Sequence, residues 1–215
     1  MNNEDAEQLN LALRAYTQTE RQMKEPNPDL FFNRATIFEY LERYGEAVRD
    51  YNMAHSIDPN LNGNAKAGAI VDFVTKTCNL VQNRSASKAK KNVDLARSIP
   101  TRIEGELRFP SLEEQKQAVT YAFSPIANLT NGVNQGAILP ARIVMHLQRP
   151  TEVPQSFLIV DSAQNFAVAS FYHTNNTLQS VLKAGDLVYI KNPQLIFTSL
   201  DFRGRIYSYN CVKCA

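Results

Sequence analysis

The sequence lacks the short motifs on which most enzymes depend. It contains no glycine-rich phosphate loop, no H-E-x-x-H pair and no G-x-S-x-G turn around a nucleophilic serine. Its three histidines, His55, His146 and His173, stand far apart, and no pair of carboxylates can be argued to form an acid–base site. We therefore expect no catalytic residue, no cofactor and no enzymatic activity.

Cysteine and long apolar runs are also scarce. An odd number of cysteines without a secretory signal favours reduced thiols. Cys211 and Cys214 have the spacing of zinc ligands, but no second C-x-x-C or histidine pair complements them, so we expect no metal site. No apolar run approaches the roughly 18 residues of a membrane span, and the N-terminus is polar and acidic. These features predict a cytoplasmic protein, with the nucleus as a second compartment, and no membrane partner.

Residues 28–60 match the pattern of one tetratricopeptide repeat, in which two helices pack closely through small residues. A proline then stops the second helix. The matching positions are Phe31, Ala35, Phe38, Tyr44, Gly45, Ala47, Tyr51, Ala54, Asp58 and Pro59. The match predicts a scaffold unit that binds other molecules rather than one that catalyses a reaction.

The first helix of such a repeat lines a concave groove, and four of its positions point into that groove. Here they hold Asp29, Phe32, Thr36 and Glu39. Two carboxylates around an aromatic ring and a hydroxyl suit a peptide that carries a positive group. Asp29 also has a structural interpretation, because an acidic residue in the first turn stabilises a helix N-terminus. Spacing alone does not separate these two roles.

Two further amphipathic segments flank this repeat. Residues 6–24 are spaced like the second helix of a preceding repeat, and residues 64–82 suit a capping helix. We therefore assign residues 1–83 to a helical domain. One and a half repeats do not bury their own faces, since about three stacked units are usually needed. We expect either a piece of a longer protein or a chain whose remainder replaces the missing neighbour.

Charge is distributed unevenly along the chain. Residues 1–60 carry 6 basic and 11 acidic side chains, whereas residues 61–131 carry 10 and 6. The second stretch contains a basic run with Lys88, Lys90 and Lys91. This run is either a solvated linker or a contact for phosphates, which would make binding strongly dependent on salt. We assign residues 84–131 to this basic segment and an interdomain connection.

Residues 132–215 have the two-residue periodicity of strands. We expect a short helix over residues 175–183, between the third and fourth of five strands. The predicted strands are Ile138–Leu147, Ser156–Val160, Phe166–Tyr172, Leu187–Ile190 and Ile206–Val212. This order is that of an OB-fold barrel. The sequence as a whole therefore predicts an α+β chain: a truncated α-solenoid of tetratricopeptide repeats followed by a five-stranded OB-fold β-barrel.

OB folds often bind single-stranded nucleic acid on the face of their second and third strands, through stacked aromatic rings. The candidate rings are Phe157, Phe166, Phe171 and Tyr172. No basic residue lies between Ser156 and Tyr172. Nucleic acid thus remains one candidate partner, through this face or the basic segment, while a barrel that contacts protein or is purely structural is favoured.

The motifs NPDLFFNRAT, YGEA, KAKK and LKAGDLVYIKNP occur in this order. Together they resemble the tetratricopeptide repeat protein 5 family, also called Strap. The resemblance implies a repeat solenoid joined to an OB fold. It also implies an adaptor in tubulin autoregulation, which recognises the N-terminal tetrapeptide of nascent tubulin at the ribosome and triggers decay of tubulin mRNA. The alternative that it implies is a nuclear stress-response transcription cofactor.

The resemblance also implies roles for particular residues. Asp29 stands where the family has an acidic residue that faces the arginine at the second position of nascent tubulin. Lys88 and Lys90 stand where the family has lysines that contact the ribosome, and Lys91 lies beside them. The family's earlier repeats, which complete the peptide groove, have no counterpart in these 215 residues.

Overall fold

The computed structural model describes residues 3–86, 90–101, 121–172 and 178–214. Its helices are α1 (Asn3–Gln22), α2 (Pro28–Tyr40), α3 (Tyr44–Ile57), α4 (Gly63–Ala86), α5 (Lys90–Arg97) and α6 (Leu178–Val181). Its strands are β1 (Ala122–Phe123), β2 (Gly132–Val133), β3 (Ala137–Leu147), β4 (Gln155–Asp161), β5 (Phe166–Phe171), β6 (Leu187–Lys191), β7 (Gln194–Phe202) and β8 (Arg205–Cys214). Long helices precede the strands, which confirms the predicted α+β class.

Helices α2 and α3 form a helical hairpin in the predicted place. The side chain of Asn27 caps α2 by accepting the backbone N–H groups of Asp29 and Leu30, and Pro28 occupies the first helical position. Ala35 and Ala47 are fully buried where the two helices meet. Small residues at both positions let the helix backbones approach closely. Helix α4 packs on α3 and continues past the predicted domain end at residue 83.

The turn between α2 and α3 contains a helix-ending motif with an unusual residue. The N–H of Arg43 donates to the carbonyl of Phe38 (2.8 Å), and the N–H of Glu42 donates to that of Glu39 (3.0 Å). These are the two bonds of a Schellman motif, whose left-handed position usually holds glycine. Here Glu42 occupies it with φ 61°. A left-handed conformation costs a non-glycine residue roughly 1–2 kcal/mol, so other contacts of Glu42 offset this cost.

The sheet has the strand connectivity of an OB fold. Strands β3, β4 and β5 form an antiparallel meander, and β5 pairs in parallel with β8. Strand β6 pairs with β3, whereas β7 pairs with β8. Asn192, with φ 46°, and Pro193 separate β6 from β7. The segment formed by β6 and β7, interrupted at Asn192 and Pro193, therefore pairs with β3 at one end and with β8 at the other.

The five-stranded barrel is not confirmed in that form. Within the described ranges eight strands form the sheet, and its hydrogen-bonded path stays open. The added strands are β1 and β2, of two residues each, and the long strand β7. No strand was predicted from the sequence where β7 lies. Pro193 and the exposed Phe197 obscure the alternation of β7 in the sequence. Its inward-facing residues become apparent only when β8 lies beside it.

Two apolar cores share the sheet. The inner core lies between the strands and includes Leu139, Phe157 and Ile159. The second core, which we call the helix–sheet core, packs the outer face of β4, β5 and β8 against α4 and α5. Its members include Leu158, Val160, Phe166, Val168, Tyr209, Ile70, Phe73, Val74 and Ala96. The helices thus cover the outer face of β4 and β5.

Cys211 and Cys214 lie on opposite faces of β8, because residues three apart on a strand point in opposite directions. Cys211 belongs to the helix–sheet core and Cys214 to the inner core. They therefore do not face a common metal ion. Across the described ranges, no group of three or more His, Cys, Asp or Glu side chains is arranged to hold a metal. None of the helices described there is both long and apolar enough to cross a membrane.

Candidate functional site

Three of the four predicted groove residues converge on one tyrosine. The ring of Phe32 packs edge-on against Tyr51 of α3, with 5.1 Å between ring centroids. The Tyr51 hydroxyl donates to Glu39 Oε2 (2.9 Å) and lies 3.2 Å from Thr36 Oγ1. Burial, together with the Glu39 carboxylate, raises the pKa of Tyr51, so the hydroxyl stays protonated as a donor.

The two predicted carboxylates lie in different environments. The Glu39 side chain is only 3% exposed and is bonded to Tyr51, so it is less accessible than a groove position would suggest. Asp29 is exposed in the first turn of α2, one turn before Phe32. Its position suits both helix stabilisation and contact with a ligand. The peptide-binding roles of Asp29, Phe32, Thr36 and Glu39 stay predictions.

The predicted ribosome-contacting lysines lie at or beyond the limit of the described chain. Lys88 lies outside the described residues. Lys90 and Lys91 open helix α5, whose side chains are described only from Val93 onward. The other end of α5 is attached to the sheet, because Arg142 of β3 donates to the Ser98 hydroxyl (2.8 Å) and to the Ser98 carbonyl (3.2 Å). The contact of Lys88, Lys90 and Lys91 with the ribosome stays a prediction.

The predicted nucleic-acid face is not accessible in this arrangement. Phe157 is fully buried in the inner core, and Phe166 is buried in the helix–sheet core. Tyr172 is buried, and its ring packs edge-on against Tyr40 of α2 at 5.4 Å. Phe171 is half-buried and contacts Phe157 at 5.7 Å. Bases could not stack on Phe166 or Tyr172 without displacing the helices, nor on Phe157 without opening the inner core.

A buried polar group that was not predicted from the sequence lies between the helices and the sheet. We call it the junction: Glu42 from the α2–α3 turn, together with Arg149, Ser170, Tyr172, Cys211 and Lys213 from the sheet domain. Arg149 Nη1 donates to Glu42 Oε1 at 2.7 Å, and these two side chains are only 3% and 1% exposed. Ser170 (2.8 Å) and Tyr172 (3.1 Å) also donate to the Glu42 carboxylate.

Lys213 completes the junction from the end of β8. Its Nζ donates to the carbonyl of Leu41 (3.0 Å), which is one of the carbonyls left unpaired at the end of α2. Burial alone would raise the pKa of Glu42, but Arg149 and Lys213, with the hydrogen bonds from Ser170 and Arg149, outweigh it and lower that pKa. Glu42 is therefore an ionised, fully paired carboxylate between the helices and the sheet.

A sequence signal for the junction exists, but it is weak. Ser170 of β5 and Tyr172, the first residue after β5, are alternate residues, and so are Cys211 and Lys213 of the neighbouring β8. Both pairs interrupt an otherwise apolar face. Such a polar end on two neighbouring strands indicates a buried partner, but nothing in the sequence identifies Glu42 as that partner.

The fold and the junction define a chain of two attached parts: a helical hairpin unit and an OB-fold domain that hold each other through a buried ion pair. Residues 120–215 match a family model described as the tetratricopeptide repeat protein 5 OB fold domain. Over this domain the chain is similar to the tetratricopeptide repeat protein 5 family.

Curated relatives support this similarity. The chain is 31% identical over 209 residues to tetratricopeptide repeat protein 5 of Mus musculus, 32% to that of Bos taurus and 31% to that of Homo sapiens. Each alignment covers 94% of this chain and 46% of the relative. The chain thus spans about half the length of the curated relatives it matches.

Proposed function

We propose that the chain is part of a non-enzymatic adaptor for tubulin autoregulation, acting at the ribosome in the cytoplasm. In this proposal α1 to α4 are the end of a tetratricopeptide-repeat solenoid, and the OB-fold domain closes that end in place of further repeats. The helix–sheet core supports this, because it buries apolar faces of α4 that one and a half repeats would otherwise expose.

The observation that carries the proposal is the exposed Asp29 on a fixed helix start. Asn27 caps the helix and Pro28 restricts its first residue, so the Asp29 backbone is held before any ligand arrives. Phe32 and the Thr36–Tyr51 hydroxyl pair continue the same helical face. An arginine-containing N-terminal peptide would place its guanidinium at Asp29 and its apolar parts along Phe32.

Replacing Asp29 with asparagine is expected to weaken binding of a Met-Arg-Glu-Ile peptide by about tenfold, because a hydrogen bond to a charged group contributes about 1.5 kcal/mol. Fluorescence anisotropy with a C-terminally labelled peptide measures this. Asp72→Asn is the matched control, since Asp72 is an exposed carboxylate on α4. The control variant should bind like the unmodified chain.

A peptide with alanine in place of its arginine separates recognition from a general charge effect. If Asp29 faces the arginine, Asp29→Asn should not weaken binding of this second peptide further. An equal loss for both peptides, or no loss for either, would contradict the assignment of Asp29. Asparagine also keeps the helix start, so melting temperatures should agree within a few degrees.

For the ribosome contact, Lys88→Glu combined with Lys90→Glu is expected to reduce cosedimentation with ribosomes at low salt roughly tenfold. The slope of the logarithm of the binding constant against the logarithm of the salt concentration should become shallower by about two, roughly one for each lost phosphate contact. Lys66→Glu with Lys76→Glu is the control, since both are exposed lysines on α4. Undiminished sedimentation of the Lys88 and Lys90 variant would remove the ribosome role from this segment without affecting the peptide groove.

A further inference from the structure

The hairpin of β7 and β8 leaves part of its backbone facing outward. The strands are joined by Arg203 and Gly204, which both have positive φ, 53° and 75°. This two-residue turn makes Phe202 and Arg205 a hydrogen-bonded pair, and the pattern alternates along an antiparallel ladder. The N–H and C=O groups of Phe197, Ser199 and Asp201 therefore point away from β8.

That outer edge of β7 is paired only at its beginning. Strand β2 lies antiparallel to β7 at Gln194 and Leu195, and the N–H of Asn134 donates to the carbonyl of Pro193 (3.0 Å). Beyond Leu195, no strand among the described residues pairs with this side of β7. We call the part from Phe197 to Asp201 the open edge.

The hairpin is anchored on one face and carries two exposed apolar side chains on the other. Thr198, Leu200 and Tyr209 are buried on the face toward the helices. Phe197 and Ile206, on the opposite face, are 66% and 67% exposed. Residues 196–202 contain neither proline nor lysine, which natural edge strands use to prevent pairing with other chains. The open edge thus carries the exposed Phe197 beside Ser199 and Asp201, and Asp201 is its one charged side chain.

The tip of the hairpin is positive. The guanidinium of Arg203 lies 5.1 Å from the Phe202 ring centroid, and that of Arg205 lies 4.8 Å from the Tyr207 ring centroid. Both arginines are exposed, and neither forms an ion pair with a described carboxylate. Carboxylates of a partner would complement them.

We propose that the open edge binds an extended segment of a partner protein by strand addition. The segment continues the antiparallel direction of β2, carries apolar side chains at alternate positions over Phe197 and Ile206, and has acidic residues at its N-terminal end beside Arg203 and Arg205. A second copy of the chain fits less well. Pairing of two open edges about Ser199 places Arg203 opposite Leu195, an edge position that β2 already occupies. The proposal does not depend on the peptide groove of α2.

The test is an NMR titration of the ¹⁵N-labelled chain with a designed probe, acetyl-Glu-Glu-Val-Thr-Val-Thr-Val-amide. The amide signals of Phe197, Ser199 and Asp201 should shift most. Ser199→Pro should weaken binding at least about tenfold, because it removes the central outward N–H and a proline is tolerated where the N–H faces solvent. Ser199→Ala keeps that N–H and should stay within about twofold.

A second variant keeps the test decisive if Ser199→Pro unfolds the hairpin. Phe197→Ser leaves the backbone intact and should still weaken binding several-fold. A probe that begins with two lysines in place of the glutamates should bind more weakly than the acidic one. No shift of the open-edge amides at millimolar probe would overturn the proposal. So would concentration-dependent dimerisation lost in Ser199→Pro, or binding of oligothymidine in place of the probe at this edge.

Discussion

Arg149→Met is expected to lower the free energy of unfolding by about 3–5 kcal/mol, since it leaves Glu42 buried without its ion-pair partner. Both side chains are almost fully buried, so water cannot replace the lost partner. Urea denaturation followed by circular dichroism measures the loss. Arg43→Met is the matched control, because Arg43 pairs with Glu46 on the surface, where the side chains are 46% and 35% exposed. Its cost should stay below about 1 kcal/mol.

The same ion pair predicts a pH dependence with a definite sign. The pKa of Glu42 is lowered in the folded chain, so its contribution is fully present above the ordinary value of 4.5 and is lost as pH falls through the lower folded-state pKa. Glu42→Gln should therefore be most destabilising near neutral pH, and its difference from the unmodified chain should shrink in acid. An equal difference at pH 7 and pH 3 would contradict this assignment.

Arg34→Met should also cost about 3–5 kcal/mol, by the same mechanism within the helices. Arg34 of α2 donates through Nε and Nη2 to both oxygens of Asp50 on α3, and through Nη1 to Glu20 of α1. Arg34 and Asp50 are buried, so the variant leaves the Asp50 carboxylate without its main partner. This single side chain links three helices, and thermal or urea unfolding should show the loss.

The double variant Arg34→Met with Asp50→Leu tests the mechanism. Replacing a buried ion pair with apolar residues of similar volume is often nearly neutral, so the double variant should recover most of the stability that Arg34→Met loses. If both variants are equally unstable, the loss comes from packing around Arg34 rather than from the unpaired carboxylate.

Local patterns in the sequence were sufficient to predict the helical hairpin and five of the strands. Ala35 and Ala47 mark the close approach of α2 and α3 because no larger side chain fits there. Helical spacing also placed Phe32, Thr36 and Glu39 on one face. It did not predict that the hydroxyl of Tyr51 would donate a hydrogen bond to the carboxylate of Glu39, since that bond depends on where α3 lies against α2.

The remaining features depend on contacts between distant segments. Strand β7 is defined by its pairing with β8, and its exposed Phe197 hides the strand pattern in the sequence. The rings proposed for base stacking follow OB-fold precedent, yet helices cover Phe166 and Tyr172, and Phe157 lies in the inner core. Glu42 is a charged residue in a short turn, which ordinarily faces solvent. Only the packing of the two parts shows that it is buried.

Glu42 in the α2–α3 turn has a geometric consequence. Its carboxylate is held by Arg149, Ser170 and Tyr172, so the end of α2 cannot rotate relative to the sheet without breaking several buried bonds at once. Helix α5 is held on the same sheet through Ser98 and Arg142. The distance and the angle between Asp29 and helix α5 are therefore fixed. A ligand at Asp29 and a surface at the start of α5 could bind the chain together only at that separation and orientation. Such a fixed frame selects partners by their mutual position as well as by their affinity.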